Sequence, residues 1–370
     1  MIPITRLSIG EEEARAAADV VRSGWLMNGP QTAEFERLVA EYVGAEHAVA
    51  VSSCTTALHL GLVAAGVQPG DEVICPSFSF IATANAIRYV GATPVFVDVD
   101  PGTFNIDPEL IEPAITERTT AILPVSQIGL PADIPAIMKI AARHGLTVVE
   151  DAAPSFGATV HGQRLGTLSD ITCFSFDARK ILTTGEGGMV TTDDGGVADR
   201  IRLLRAHAAS VSTADRDRAG RVILETYPEV GFNYKITDIQ AAIGVVQMGR
   251  VDEIVAERRR LGRRYDLLLD RVDGVVAPLV PEGFEHVYQS YNVRLETDRT
   301  QEQVMTDMLD LGVATRRIFA IHTQPAFRRP EQPDLPVTLE AADRTILLPL
   351  FVGLTNDEQD QVVDALGKCL

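Results

Sequence analysis

The stretch HAVAVSSCTTALHLGLVAAGVQPGDEVICP, His47 to Pro76, decides the fold. HAVAVSS is a short β-type run. TTALHLGLVAAG reads as a helix that stops at Gly66, and DEVICP as a second strand. Strand, helix and strand in that order form a βαβ unit, and the pattern repeats outward. SFIATANAIRYVG predicts a helix ending at Gly91 and TPVFVDVD a strand. DPELIEPAI predicts a helix, TAILPV a strand, ADIPAIMKIAARHG a helix and LTVVEDA a strand. The strands are continuous Val/Ile runs, as expected of strands covered on both faces. The class is therefore α/β, with a mostly parallel central sheet and helices on both faces.

After residue 237 the texture changes. TDIQAAIGVVQMGRVDEIVAERRRLGRRYDLLLDRV predicts one long amphipathic helix with Thr237 or Asp238 as its N-cap. Its basic run ERRRLGRRY reads as a solvated face. A β-type run at QSYNVRLE and helices at EQVMTDMLDLG and NDEQDQVVDALGKCL follow. The expected division is a large domain over residues 1–244 and a smaller α/β domain over 245–370. The polar segment Ala208 to Glu229 reads as a lid or a surface loop.

The chain has 370 residues, 46% hydrophobic and 23% charged, an ordinary globular composition. No apolar run reaches membrane-spanning length, and the first residues lack a basic region followed by an apolar one. The four cysteines are scattered without a CxxC pair. A reduced, cytoplasmic protein without disulfides or a zinc site is expected. The net charge of −18 argues against nucleic acid or an anionic membrane as partner.

Ligands of open α/β sheets collect at the carboxyl ends of strands. Ser52-Ser53-Cys54-Thr55-Thr56 opens the helix after the first strand, and either binds an anion or caps the helix. Asp151 ends the apolar fifth strand, where a carboxylate needs a cationic partner. Lys180 stands between the β-type run CFSF and Gly185, Gly187 and Gly188. A lysine there can serve as a Schiff-base amine with a lowered pKa. An anion site, a carboxylate and such a lysine on one α/β scaffold point to pyridoxal 5'-phosphate (PLP). Dinucleotide and P-loop fingerprints, a GxSxG elbow and metal-ligand spacings are all missing from the sequence.

The motifs SGWLMNGP (Ser23 to Pro30), VSSCTTALHL (Val51 to Leu60), GDEVICPSFSFIATANAI (Gly70 to Ile87), EDAAPSFGA (Glu150 to Ala158), FSFDARKILTTGEGG (Phe174 to Gly188), GFNYKITDIQAAIG (Gly231 to Gly244) and TRRIFAIHTQPAF (Thr315 to Phe327) occur in this order. In them the chain resembles, over nearly its whole length, the DegT/DnrJ/EryC1/StrS sugar aminotransferases, which are fold type I PLP enzymes. The resemblance implies that Lys180 carries the cofactor and shuttles the proton, and that Asp151 pairs with the pyridinium nitrogen. It implies that Phe80 stacks on the ring, and that Ser53, Cys54, Thr55, Thr56 and Ser175 hold the phosphate. Asn233 and Lys235 match a segment that reaches the phosphate from a partner subunit, which implies a homodimer with shared sites. Trp25, Leu26, Arg316, Arg317 and His322 fall where the family places substrate-facing loops.

Four departures stand out. Pro154 replaces a usual Gln or His, Asp177 a usual His, Tyr or Asn, Thr56 a usual Ala, and PVSQIG a PVHLYG-like stretch. The activity implied is amino transfer from L-glutamate or L-glutamine to a keto-sugar, in most of the family a nucleotide-diphosphate-linked one. A cyclitol ketone or another non-nucleotide acceptor is the alternative. A dehydratase of the same fold resembles this family but carries His in place of the lysine, which Lys180 argues against. A non-catalytic PLP-fold regulator would predict loss of Lys180 or Asp151.

Overall fold

The computed structural model describes residues 1–211, 216, 219–331 and 333–370. Two N-terminal helices, α1 (Glu11–Ser23) and α2 (Pro30–Val43), precede the alternating region. That region runs β1 (His47–Val51), α3 (Cys54–Ala64), β2 (Glu72–Pro76), α4 (Ala82–Tyr89), β3 (Thr93–Val97), β4 (Thr119–Ile122), α5 (Ile134–His144) and β5 (Thr147–Asp151). The hairpin strands β6 (Thr159–Val160) and β7 (Gln163–Arg164) lead to β8 (Ile171–Ser175), β9 (Gly188–Thr192) and α6 (Gly195–Leu204).

Seven strands form the central sheet in the order β1-β9-β8-β5-β4-β2-β3. Only β9 runs against the others, so the sheet is mostly parallel as expected. Period two explains the continuous apolar runs. Ile74, Val148, Phe174 and Met189 enter the core on one face, while Val73, Val149, Cys173 and Val190 enter the core on the other. On β5 this parity sends Glu150 to the first face and Asp151 to the second, the side covered by α3.

The expected helix DPELIEPAI is instead two short 3₁₀ turns, Pro108–Leu110 and Glu112–Ala114. Pro113 explains this, since it removes a donor and disfavours a helical residue before it. The single long helix after residue 237 is instead two, α7 (Asp238–Met248) and α8 (Val251–Leu269). Gly249 is a poor helix former. Arg250 leaves helical geometry at φ −121°, ψ 7°, and its guanidinium reaches the Ser8 carbonyl and Glu13.

The remaining chain contains β10 (Val275–Val276), β11 (Phe284–Glu285), β12 (Tyr291–Leu295), α9 (Gln301–Asp310), α10 (Pro336–Arg344), β13 (Thr345–Leu348) and α11 (Asn356–Cys369). A second sheet, β10-β12-β13, packs with α8, α9 and α11 around Tyr265, Val293, Met308, Ile346 and Leu366. Ile2 joins that core and pairs with Val313. The segment Ala208 to Glu229, read as a lid or loop, lies partly outside the described residues.

The basic run in α8 is not simply a solvated face. Arg258 is buried and donates to the carbonyls of Tyr288 (2.9 Å), Gln289 (3.2 Å) and Leu350 (3.3 Å). Burial lowers its pKa to about 10. Arg258→Met keeps an apolar stem but leaves three carbonyls without this donor. We expect it to lower the urea-unfolding free energy by roughly 2–4 kcal/mol; unchanged stability would show that the carbonyls do not depend on the cation.

Candidate active site

A cavity of about 600 Å³ opens where the carboxyl ends of β5 and β8 meet the start of α3. Asp151 reaches it from β5 and Ser175 from β8. Ser53, Cys54 and Thr55 reach it from α3, and Phe80 from the turn before α4. Lys180 enters from the β8–β9 connection, and Arg316 and Arg317 from the chain beyond α9. The structure thus gathers these sequence-predicted residues on one wall system.

The glycines beside Lys180 have separate tasks. Gly185 sits at φ +81°, a left-handed conformation that glycine adopts without steric cost. A Cβ at Gly188 would come within 2.5 Å of the Ser53 carbonyl and 2.7 Å of the Cys54 nitrogen. Only a glycine lets β9 lie this close to the start of α3. Lys180 itself ends a turn in which its amide donates to the Asp177 carbonyl at 3.0 Å.

Ser53 is the N-cap of α3, and its hydroxyl accepts the Thr56 amide at 3.2 Å. The amides of Cys54 and Thr55 have no intrahelical partner at this helix start, which makes an anion cradle. Thr56 does not line the cavity, contrary to expectation. Its hydroxyl donates to the Ser53 carbonyl at 2.8 Å, and its oxygen accepts the Ser53 amide at 3.1 Å, which closes the capping box.

Asp151 is buried. Its Oδ2 accepts from the Thr83 hydroxyl at 2.8 Å and its Oδ1 from the Ala153 amide at 3.1 Å. Burial raises its pKa, while these donors and Lys180 pull the other way. Burial lowers the pKa of Lys180, against the pull of Asp151, Cys54 and Asp177. No ion pair joins Lys180 to a carboxylate among the described residues. A buried carboxylate and a desolvated amine therefore share a cavity whose wall also includes an anion cradle. Phe80, 66% exposed, presents an uncovered ring to the same space. This donor set fits PLP: an amine for its aldehyde, a carboxylate for its ring nitrogen, a flat apolar cover and free amides for its phosphate.

Other expected residues stand elsewhere. His322 is buried outside the cavity lining, with Nδ1 2.7 Å from the Ser77 hydroxyl. It anchors the 315–327 segment to the end of β2, because the Ile321 amide also bonds the Ser77 carbonyl at 2.8 Å. Trp25 packs on Gly29, and the Leu26 carbonyl accepts the Asp238 amide at 3.1 Å. Lys235 bonds Asn233 at 3.2 Å, beside Tyr234, whose carbonyl accepts the Ser52 amide at 2.8 Å. In a single chain these four residues lie outside the cavity lining.

The structure also shows participants that the sequence reading missed. Thr83 lies behind Asp151 and bonds Ser79, which itself lines the cavity, and their i, i+4 spacing at a helix start was the available signal. Gln127, Ile128 and Gln289 line the cavity from the departing stretch and the second sheet's approach. Ile128 sits at φ 62°, an outlier for a β-branched residue. Its carbonyl accepts the Ser290 amide at 3.3 Å, and the Gly129 carbonyl accepts the Val287 amide at 2.9 Å. Asp177 accepts from the Arg179 amide at 3.0 Å and Nε at 3.2 Å. Burial opposes its ionisation, yet these donors hold it below its ordinary value.

Glu150, on the opposite face of β5, is buried and accepts the Ser126 hydroxyl at 2.6 Å. Burial pushes its pKa from 4.5 up to about 7, with the Asp151 charge adding to the rise. Between those values the folded protein holds a proton that the unfolded chain has released. The stability this contributes is complete below pH 4.5 and is lost as pH rises through about 7. Urea unfolding measured from pH 4.5 to 8 should show wild-type stability falling relative to Glu150→Gln. Parallel profiles would contradict the assignment.

Residues 7–367 match the model of the DegT/DnrJ/EryC1/StrS aminotransferase family. The chain is 44% identical to GDP-perosamine synthase of Caulobacter vibrioides, over 91% of this chain and 89% of that protein. The PMP form of the putative sugar aminotransferase Spr1654 from Streptococcus pneumoniae superposes with a TM-score of 0.94 at 28% identity, covering 100% of this chain and 99% of that one. The same protein in its PLP form gives a TM-score of 0.92. DesI, solved in the presence of its TDP-sugar product, gives 0.89 at 33% identity, over 100% of this chain and 92% of that one. With a match of that length, the chain belongs to the DegT/DnrJ/EryC1/StrS aminotransferase family of PLP-dependent enzymes.

Proposed function

We propose that this chain is a cytoplasmic aminotransferase that moves an amino group from L-glutamate or L-glutamine to the keto carbon of a nucleotide-diphosphate-linked sugar. The observation that carries the reading is the meeting of Lys180 and Asp151 in one cavity without an ion pair between them. Bound PLP supplies an aldehyde that captures amines and a protonated ring that draws electrons from the attached carbon.

The chain's own groups do the rest. Asp151 holds the proton on the ring nitrogen. Phe80 covers the ring, and the Cys54 and Thr55 amides with the Ser53 and Ser175 hydroxyls bind the phosphate. Lys180 would hold the cofactor through its Nζ, the amine that the aldehyde captures, and a free Nζ would be placed to move protons. Its Nζ then removes the proton from the donor Cα as a general base. In the second half-reaction Nζ delivers a proton to the former keto carbon of the acceptor. Burial lowers the proton affinity of Lys180, which favours the neutral amine that a base requires.

Arg316 and Arg317 favour a phosphorylated acceptor, since both residues line the cavity and form no ion pair among the described residues. The GDP and TDP in the names of two similar proteins agree with this. Asn233 and Lys235 lie outside this chain's own cavity, which suits a homodimer in which they reach the partner subunit's phosphate site.

The purified protein should show a visible band that bleaches with millimolar L-glutamate or L-glutamine and returns with a keto-sugar nucleotide. Lys180→Ala should lower turnover by at least about 10³-fold, the scale of losing a positioned general base together with its covalent anchor. A wild-type protein that takes up no PLP would refute the reading. Shared sites make a second expectation. Mixing Lys180→Ala with Lys235→Ala subunits should restore activity that neither has alone, and failure of subunits that demonstrably exchange would exclude sharing.

A further inference from the structure

Two buried hydroxyls, Thr83 behind Asp151 and Ser79 at the cavity lining, form a chain to which the proposed proton transfers assign no role. Thr83 Oγ1 lies 2.8 Å from Asp151 Oδ2 and 2.9 Å from Ser79 Oγ, and both hydroxyl residues are buried. An ionised carboxylate only accepts, so Thr83 must donate to it. The Thr83 oxygen is then free to accept from Ser79, and both donations run toward Asp151. Chains aligned this way strengthen each bond.

These hydroxyls also forgo their common task. They flank the start of α4, whose N-cap is Ile81 and which has no capping side chain. Ser and Thr at a helix start ordinarily cap it. Here the helix end goes without a side-chain cap while both hydroxyls serve the carboxylate. The reason lies in the burial of Asp151, which favours the neutral acid. The Ala153 amide is its other donor. Lys180, Cys54 and Cys173 are the titratable groups about it, and Glu150 faces away on the same strand.

We propose that Thr83, backed by Ser79, is a positioning residue that keeps the Asp151 carboxylate ionised and aimed at the ring nitrogen of the cofactor. The inference rests on the role proposed above for Asp151. Thr83 touches neither cofactor nor substrate and acts through the carboxylate alone.

The test compares Thr83→Val, which deletes the hydroxyl at nearly constant volume, with Thr83→Ser, which keeps it, and with Ser79→Ala. Each protein, stripped of cofactor, is titrated with PLP across pH while its visible band and thermal midpoint are recorded. Thr83→Val should weaken PLP binding roughly tenfold or more, the scale of a lost hydrogen bond to a charged group. Its binding should also fail at a higher pH on the acid side, because the carboxylate then protonates more readily. Thr83→Ser should stay within about threefold of wild type, and Ser79→Ala should fall between the two. Wild-type affinity and acid limb in Thr83→Val overturn the proposal. So does Thr83→Ser as weak as Thr83→Val, since the methyl group would then be what matters. If Thr83→Val fails to fold, Ser79→Ala with unchanged binding and acid limb overturns the relay. Wild-type protein that binds no PLP overturns the functional reading, and this inference with it, an outcome distinct from failure of the variants alone.

Discussion

A carboxylate buried at the end of an apolar strand is the constraint around which this structure is arranged. The four residues of β5 before Asp151 have neighbours that place the strand inside the sheet, between β4 and β8. Desolvation there opposes ionisation. What offsets it is local: one hydroxyl, one amide and the nearby Lys180 amine. None of these forms a closed ion pair with the carboxylate. The site therefore keeps an unspent acceptor direction facing the cavity, and a ligand with a protonated ring nitrogen can use it.

The same strand carries a second buried carboxyl, Glu150, one residue earlier. The pleat separates the two groups to opposite faces. Three hydroxyl residues surround Glu150, with Ser126 the closest. Ser126 also ties the strand itself, since its amide bonds the Asp151 carbonyl at 3.0 Å. The departing stretch PVSQIG thus touches the site from behind as well as lining it, through Ser126 on one side and Gln127 and Ile128 on the other.

The second sheet acts on the site through the segment 286–290. That segment is held by Arg258 from α8 and by the Gly129 carbonyl. Gln289 then bonds the Arg179 carbonyl at 3.0 Å, one residue from Lys180. A buried cation is in this way linked, through side chains that donate to backbone carbonyls, to the turn that presents the lysine. The left-handed Ile128 and the close approach at Gly188 belong to the same tight enclosure.

The sequence by itself determined the α/β order, the parallel strands and the cavity's chemistry. Continuous Val/Ile runs, glycine stops, and polar residues at strand ends are local signals, each set within a few residues. Lys180, Asp151 and the opening of α3 were legible for that reason, while the motif order carried the family and, through the resemblance, Phe80. Only the tertiary structure decided which groups the chemistry can reach. Thr56 looked like an anion ligand, yet its hydroxyl closes a capping box. His322 looked substrate-facing, yet it anchors a loop to Ser77. Arg258 looked solvated, yet it is buried and serves three carbonyls, and Thr83 showed its role only where it lies against Asp151. A hydroxyl, an imidazole or a guanidinium satisfies whichever partner comes nearest in space. That partner is fixed by segments 68 to 245 residues away, at Asp151 for Thr83 and at Ser77 for His322.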